Sequence, residues 1–350
     1  MTLKLSVDGE RWRTHLRAVA DANPGLVPVT KGNGYGFTLA RLARKSAWLG
    51  VDTIAAGTYT ELPELATRFD GSLVVLTPWR PFVEDLDPTM AERVIHTVGR
   101  VEDVDALLTR QPRARLVLEL RTSMVRHGLL ARELWEAADL LRRHAGARLE
   151  GLALHLPLAQ GSHLGEVRRL LNDAVAAGLD DLSTIWISHL SPEELQVLRS
   201  SYADFTIRPR IGTGLWLGDR SALRVTSTVL DVHPLERGDS FGYRARTAPK
   251  SGHLLIVSGG TAHGIGLEAP TGESSLKARA STLARGGLDA VGFVRSPFSI
   301  DHKQRLFAEP PHMQASMLFL PSGARVPEVG DEIDVRVRYT ATTFDRIIVT

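Results

Sequence analysis

Short apolar runs alternate with amphipathic helical patterns from residue 26 to about residue 210. The runs at 26–30, 53–57, 73–77, 93–98, 115–121, 149–155, 183–188 and 204–208 read as strands, and patterns such as 37–49, 131–145 and 163–177 read as helices. Repetition of strand and helix argues a parallel sheet. Eight strands at this spacing favour a closed (β/α)8 TIM-like barrel over an open, doubly wound sheet. A helix from Asp8 to Ala22 is expected before the first barrel strand. After Gly218 the texture changes. Leu223–His233, Ser251–Gly259, Asp289–Arg295, Gln314–Phe319, Glu332–Arg338 and Asp345–Val349 read as strands punctuated by glycine and proline. A mostly β C-terminal domain follows from this, giving an expected division into residues 1–220 and 221–350. The polar stretch Glu268 to Gly287 reads as a surface loop.

Composition narrows the function classes. The chain has 350 residues, 43% hydrophobic and 23% charged, enough for one large domain and a second. Its 42 basic and 40 acidic residues leave a net charge of +2, and no run of like charge forms a basic patch, so nucleic acid is not an expected partner. With no cysteine, disulfides, cysteine-ligated metal and thiol catalysis are excluded. No apolar run reaches membrane-spanning length and no leader pattern opens the chain, so the default expectation is the cytoplasm, with no membrane partner.

The stretch Val27-Pro-Val-Thr-Lys-Gly-Asn-Gly-Tyr-Gly36 is a short apolar run that ends on a lysine and enters a glycine-rich turn. Lys31 therefore stands where a strand gives way to a loop, the place at which parallel α/β folds carry their chemistry. A lysine there can form a Schiff base with a carbonyl compound, pyridoxal phosphate being the commonest. It can equally pair with a carboxylate at the barrel rim. Other polar groups fall at expected strand ends: Arg121 and Arg126, His155, His189 and Ser191, then Arg210 followed by Gly212-Thr213-Gly. Glycines there expose N–H groups to a phosphate, or simply make a domain linker.

Lys31-Gly-Asn-Gly-Tyr35-Gly resembles the pyridoxal-lysine signature of alanine racemases, Lys-Ala-Asn-Ala-Tyr-Gly. The resemblance implies a barrel followed by a β domain, with pyridoxal 5'-phosphate on Lys31. It implies that Tyr35 binds the phosphate, with Ser191, Gly212 and Thr213 nearby. His155 would lie beneath the pyridine ring, and Arg210 would hydrogen-bond the ring nitrogen. Thr122-Ser-Met-Val-Arg126-His-Gly is similar to the family segment in which the arginine binds the substrate carboxylate. Met317, in Ser316-Met317, is placed near the same carboxylate. Many members carry a carbamylated lysine seven residues before that arginine; here Glu119 stands in its place.

The family's second base, a tyrosine within Gly-Tyr-Ala-Asp-Gly-Tyr supplied by the partner subunit of a dimer, is missing. Gly260-Thr-Ala-His-Gly-Ile265 matches best, and it puts Thr261 on the tyrosine. A threonine hydroxyl is too weak an acid or base, so His263 becomes the expected replacement. Glu309, His312 and Gln314 have no counterpart, and with His263 they define no metal site. The leading expectation is a pyridoxal-phosphate racemase or epimerase of an amino acid, working as a homodimer. The alternatives are a lyase or decarboxylase on the same fold, or a non-catalytic pyridoxal-phosphate binder.

Overall fold

The computed structural model describes residues 2–158, 161–179, 182–267 and 294–350. The expected loop at Glu268–Gly287 and most of the strand expected at Asp289–Arg295 lie outside the described residues. The chain divides into two compact units: Thr14–Gly218, and Met1–Arg13 together with Asp219–Thr350.

The first strand, β1 (Leu3–Val7), and helix α1 (Gly9–Ala22) open the chain. The barrel strands are β2 (Val27–Thr30), β3 (Thr53–Ala56), β4 (Ser72–Val75), β5 (Val94–Val98), β6 (Arg115–Leu120), β7 (Arg148–His155), β8 (Thr184–Ser188) and β9 (Thr206–Ile211). They pair in parallel in chain order, and β9 returns to β2, which closes the barrel. Helices α2 (Leu39–Leu49), α3 (Leu62–Ala66), α4 (Pro88–Ala91), α5 (Val101–Arg110), α6 (Ala131–Arg143), α7 (Leu164–Ala176), α8 (Pro192–Ser201) and α9 (Thr213–Leu217) follow the strands in turn.

The strands are short and buried on both faces, because helices cover the outside and side chains fill the inside. Val27, Val29, Ala55, Val74, Ile95, Val117, Ala153 and Trp186 form the inner cluster. Outer-facing neighbours such as Leu116, Leu118, Leu152, Leu154, Ile185 and Ile187 pack with α5, α6 and α7 residues including Leu107, Leu134 and Val167. A continuous apolar run is the sequence form of such a strand.

The last strand departs from expectation. It runs to Ile211 rather than stopping at 208, so Arg210 lies in the strand and not in the loop after it. Pairing with β2 extends it: Val27 faces Arg210 and Pro28 faces Ile211.

The β unit holds β10 (Leu223–Leu235), the short pair β11 (Ser240–Phe241) and β12 (Arg246–Thr247), then β13 (Gly252–Ser258), β14 (Arg295–Ile300), β15 (Lys303–Phe307), β16 (Ala315–Pro321), β17 (Glu332–Val335) and β18 (Arg346–Val349). Its large sheet has the order β13-β16-β15-β14-β17-β10-β1-β18, with β10 also paired to β13. The expected division assigned residues 1–13 to the barrel. Instead β1 runs antiparallel to β10, Leu5 facing Val225, and parallel to β18, Leu5 facing Ile347. Alternate residues Leu3, Leu5 and Val7 are buried, as a strand with one face on a core requires.

Candidate active site

Lys31 follows β2 directly, at the C-terminal end of the barrel strands. The turn after it is wound through a region that side chains avoid: φ is +62° at Gly32, +63° at Gly34, +55° at Tyr35 and +87° at Gly36. Glycine enters that region freely; Tyr35 does so against its preference. The outcome is a buried tyrosine whose hydroxyl abuts Gly212, so that a Cβ at residue 212 would overlap it. Gly212 follows β9 and caps α9, in which Thr213 is the first residue. Burial, with Glu61 adding, pushes the Tyr35 phenol up to about 12, which keeps it a hydrogen-bond donor at neutral pH.

Glu61 was not singled out in the sequence. Its carboxylate accepts N–H bonds from Gly32 at 2.9 Å, Gly57 at 2.7 Å and Thr58 at 3.4 Å. It thereby ties the Lys31 turn to the loop after β3. The Thr58-Tyr-Thr-Glu61 pattern, the signature of a helix start, was the available signal.

Around Lys31 the site is cationic. Burial lowers the Lys31 amine from its ordinary value; Arg126 and Arg210 lower it further, while Glu61 opposes them. A lysine so placed is partly neutral at a lower pH than usual and is a better nucleophile. His155 is the last residue of β7, and its Nδ1 lies 2.8 Å from the Ser188 hydroxyl. Burial first, then Arg210, Arg126, His189 and Lys31, hold it down to about 3, so the ring is neutral in the working range. The His189 ring lies 5.0 Å from it, centre to centre. His189 has φ +65° and donates from Nδ1 to the Leu156 carbonyl at 2.6 Å.

Arg210 is buried and donates from Nη2 to the Leu154 carbonyl at 2.9 Å. Desolvation lowers it to about 10, with Glu119 opposing, so it stays charged at neutral pH. Glu119, buried on β6, is raised by burial, and Arg210, Arg126 and Arg80 pull it back down. Arg210 Nε and Glu119 Oε2 are both buried without a hydrogen-bond partner among the described residues. Of the charges around it, Arg210 acts on the Glu119 carboxylate first.

Other expected residues land differently. Ser191 caps α8, accepting from Glu194 N–H at 3.2 Å, while Glu194 accepts from Ser191 N–H at 3.0 Å. Met317 lies in β16 opposite Ile256 and packs on the cluster of Leu235, Ala248, Leu254 and Ala308. Met313 adjoins the 260–263 turn, its carbonyl accepting from Ala262 N–H at 3.0 Å. His263, the expected second base, lies in the turn that follows β13. It is buried, its Nδ1 accepts from Gly260 N–H at 3.2 Å, and its Nε2 donates to Asp345 at 3.0 Å. Both ring nitrogens are occupied, so no lone pair is presented to a substrate.

The family model for the alanine racemase N-terminal domain matches residues 7–192. The chain belongs to the alanine racemase family. Membership carries the enzyme class and cofactor expected from Lys31 and Tyr35, a pyridoxal-phosphate-dependent isomerase of the amino-acid racemase type. Among curated relatives, the alanine racemase of Nitratidesulfovibrio vulgaris (strain DSM 19637 / Miyazaki F) is 26% identical over 71% of this chain and 72% of its own length. That of Sorangium cellulosum is 23% identical over 75% of this chain and 72% of its own. Two solved structures share the fold. Alanine racemase from Bartonella henselae superposes with a TM-score of 0.73 at 15% identity and covers 100% of both chains. Histidine racemase from Leuconostoc mesenteroides superposes with a TM-score of 0.66 at 16% identity, covering 100% of this chain and 98% of its own.

Proposed function

We propose that this protein is a pyridoxal-phosphate-dependent racemase or epimerase that exchanges the α-proton of an amino acid. The observation that carries the reading is Lys31, its amine lowered by burial, beside a turn that seats the Tyr35 hydroxyl against Gly212. The residues present fit the cofactor. Gly212 carries no side chain of its own beside the Tyr35 hydroxyl, Tyr35 is a donor, and Arg210 Nε is a buried donor lacking a partner among the described residues.

In this reading Tyr35, Ser191, Gly212 and Thr213 hold the phosphate, and Arg210 faces the ring nitrogen. When bound, pyridoxal phosphate supplies the π-system that takes up the electron pair left on the α-carbon. An arginine in that position keeps the ring nitrogen unprotonated, which weakens the sink and favours simple proton exchange over side reactions. Neutral His155 lies at the same barrel mouth without adding positive charge, and burial lowers the neighbouring His189 from its ordinary value. Arg126 binds the substrate carboxylate. Lys31 holds and moves the α-proton on its own face.

The homodimer is part of the proposal, because the family completes its site with a partner's β domain. Sedimentation velocity at micromolar concentration should show a dimer. Alanine and histidine are both turned over by proteins of this fold, going by the names of the solved relatives, so the substrate is to be found by a panel. Purified protein is incubated with single L- and D-amino acids in deuterated water, following α-deuteration and chirality. Inversion supports the reading. Decarboxylation or elimination without inversion moves the chain to the lyase class, and no exchange with any amino acid leaves a cofactor binder.

A further inference from the structure

The loop from β6 to α6, residues 121–130, carries Arg126, which binds the substrate carboxylate in the proposed function. The loop is closed at its base. Arg121 N–H donates to the Leu129 carbonyl at 2.9 Å, and Leu129 N–H donates to the Glu119 carbonyl at 2.8 Å. Gly128 makes the closure possible: its φ is +117°, and a Cβ there would overlap the Arg121 nitrogen. Inside the loop the Thr122 hydroxyl donates to the His155 carbonyl at 2.6 Å, and Val125 N–H donates to the Thr122 carbonyl at 3.0 Å. Val125 is held at φ +50°, a region that β-branched residues avoid. Its side chain is 67% exposed, so burial does not hold it there.

The conformation is held from outside the loop. Glu166 stands in the first turn of α7, 43 residues along the chain from Ser123. Its Oε2 accepts from the Ser123 hydroxyl at 2.8 Å, and its Oε1 accepts from the Ser123 N–H. An acidic residue in a first turn already suits the helix dipole. A carboxylate with both oxygens on one residue of another loop does more: it fixes that residue's place, three positions before Arg126. The Arg126 guanidinium needs such placing, because no salt bridge engages it among the described residues. Of the charged groups, Arg126 is also the one that lowers the Lys31 amine most, so the loop turns it toward the lysine's end of the barrel.

We infer that Glu166 is a positioning residue for the substrate: by holding Ser123 it sets the loop on which Arg126 meets the substrate carboxylate. The inference rests on the racemase reading and on Arg126 in that role. Glu166 acts through Ser123 and Arg126 and takes no part in moving the α-proton. Without it the loop is free to relax at Val125, and Arg126 loses its fixed place. The loss then falls on the binding of the substrate and not on the proton transfer, which Lys31 performs on a different strand end. Ser123 carries the contact on the loop side through its hydroxyl and its N–H.

Two measurements test this. The first uses the protein without cofactor: amide hydrogen exchange should find the Ser123 N–H protected in the wild type and at least about tenfold faster in Glu166→Ala. The second uses cofactor-loaded protein and the amino acid that the wild type inverts. Glu166→Ala should keep its affinity for cofactor and a kcat within about threefold of wild type, while KM rises by roughly ten- to a hundredfold, the scale of lost hydrogen bonds to a charged group. Glu166→Gln keeps one acceptor oxygen and should lose less. Ser123→Ala should raise KM on its own but not further in Glu166→Ala, because both changes remove the same hydroxyl contact. An unprotected Ser123 in the wild type, an unchanged KM in Glu166→Ala, additive losses in the double variant, or a loss carried by kcat overturns the inference while leaving a racemase. A wild type that exchanges no α-proton instead defeats the racemase reading, and the inference falls with it.

Discussion

Tyr35 and Gly212 occupy adjoining space at the end of the barrel: a Cβ at residue 212 would overlap the Tyr35 hydroxyl and lie 2.9 Å from its Cζ. The relationship depends on a tyrosine held at φ +55°, flanked by glycines at +63° and +87°. Gly212→Ala should displace the phenol and leave the barrel folded. Affinity for pyridoxal phosphate should fall by at least about tenfold, or 1.4 kcal/mol. Titration followed by absorbance reads this, and unchanged affinity would detach Tyr35 and Gly212 from the cofactor site.

Lys31 is the residue on which colour should depend. The wild type should purify yellow or turn yellow on addition of pyridoxal phosphate, and Lys31→Ala should not. A yellow Lys31→Ala protein whose absorption survives gel filtration would place the cofactor on another lysine.

Glu61 gathers the N–H groups of Gly32, Gly57 and Thr58. Truncation leaves those donors without their acceptor, and losses of this kind cost about 1–3 kcal/mol. Glu61→Ala should lower stability to urea by that amount and weaken cofactor uptake as well, because the turn bearing Lys31 is released. Glu61→Gln keeps one acceptor oxygen and should lose less. A Glu61→Ala protein with wild-type stability would show that the turn is held by its glycines alone.

His96 should make the barrel acid-sensitive. It is 1% exposed, bonded at Nδ1 to the Tyr59 hydroxyl at 2.9 Å, and lowered by burial to about 4. The unfolded chain, with a histidine near 6.5, binds more protons between those values. Stability therefore rises with pH across that window and is lost as pH falls from about 6.5 toward 4. One proton allows a slope of up to about 1.4 kcal/mol per pH unit. Urea unfolding at several pH values should show a shallower decline for His96→Gln than for the wild type. Parallel declines would mean that His96 titrates alike in both states.

Much of the barrel was written in the chain. A strand between a filled interior and a layer of helices has to be apolar on both faces, so Thr53–Ala56 and Val94–Val98 announce themselves as short apolar runs. The positions of Lys31 and His155 follow for a related reason: each stands at the end of such a run, and strand ends in a closed parallel barrel share one face. These are properties of neighbours in sequence.

What the sequence left open was decided between distant residues. β1 belongs to the β unit because Leu5 finds its partners at Val225 and Ile347. Arg210 lies inside its strand because pairing with Val27 continues past Pro209. His263 has a suitable side chain for a base, but Gly260 and Asp345 take both its nitrogens, and Asp345 is 82 residues away. Glu309 takes His312 and the Tyr243 N–H as partners, the latter 66 residues distant. A hydrogen bond is short-ranged and directional, so which nitrogen of a histidine is free is settled only when the chain brings its partners within about 3 Å.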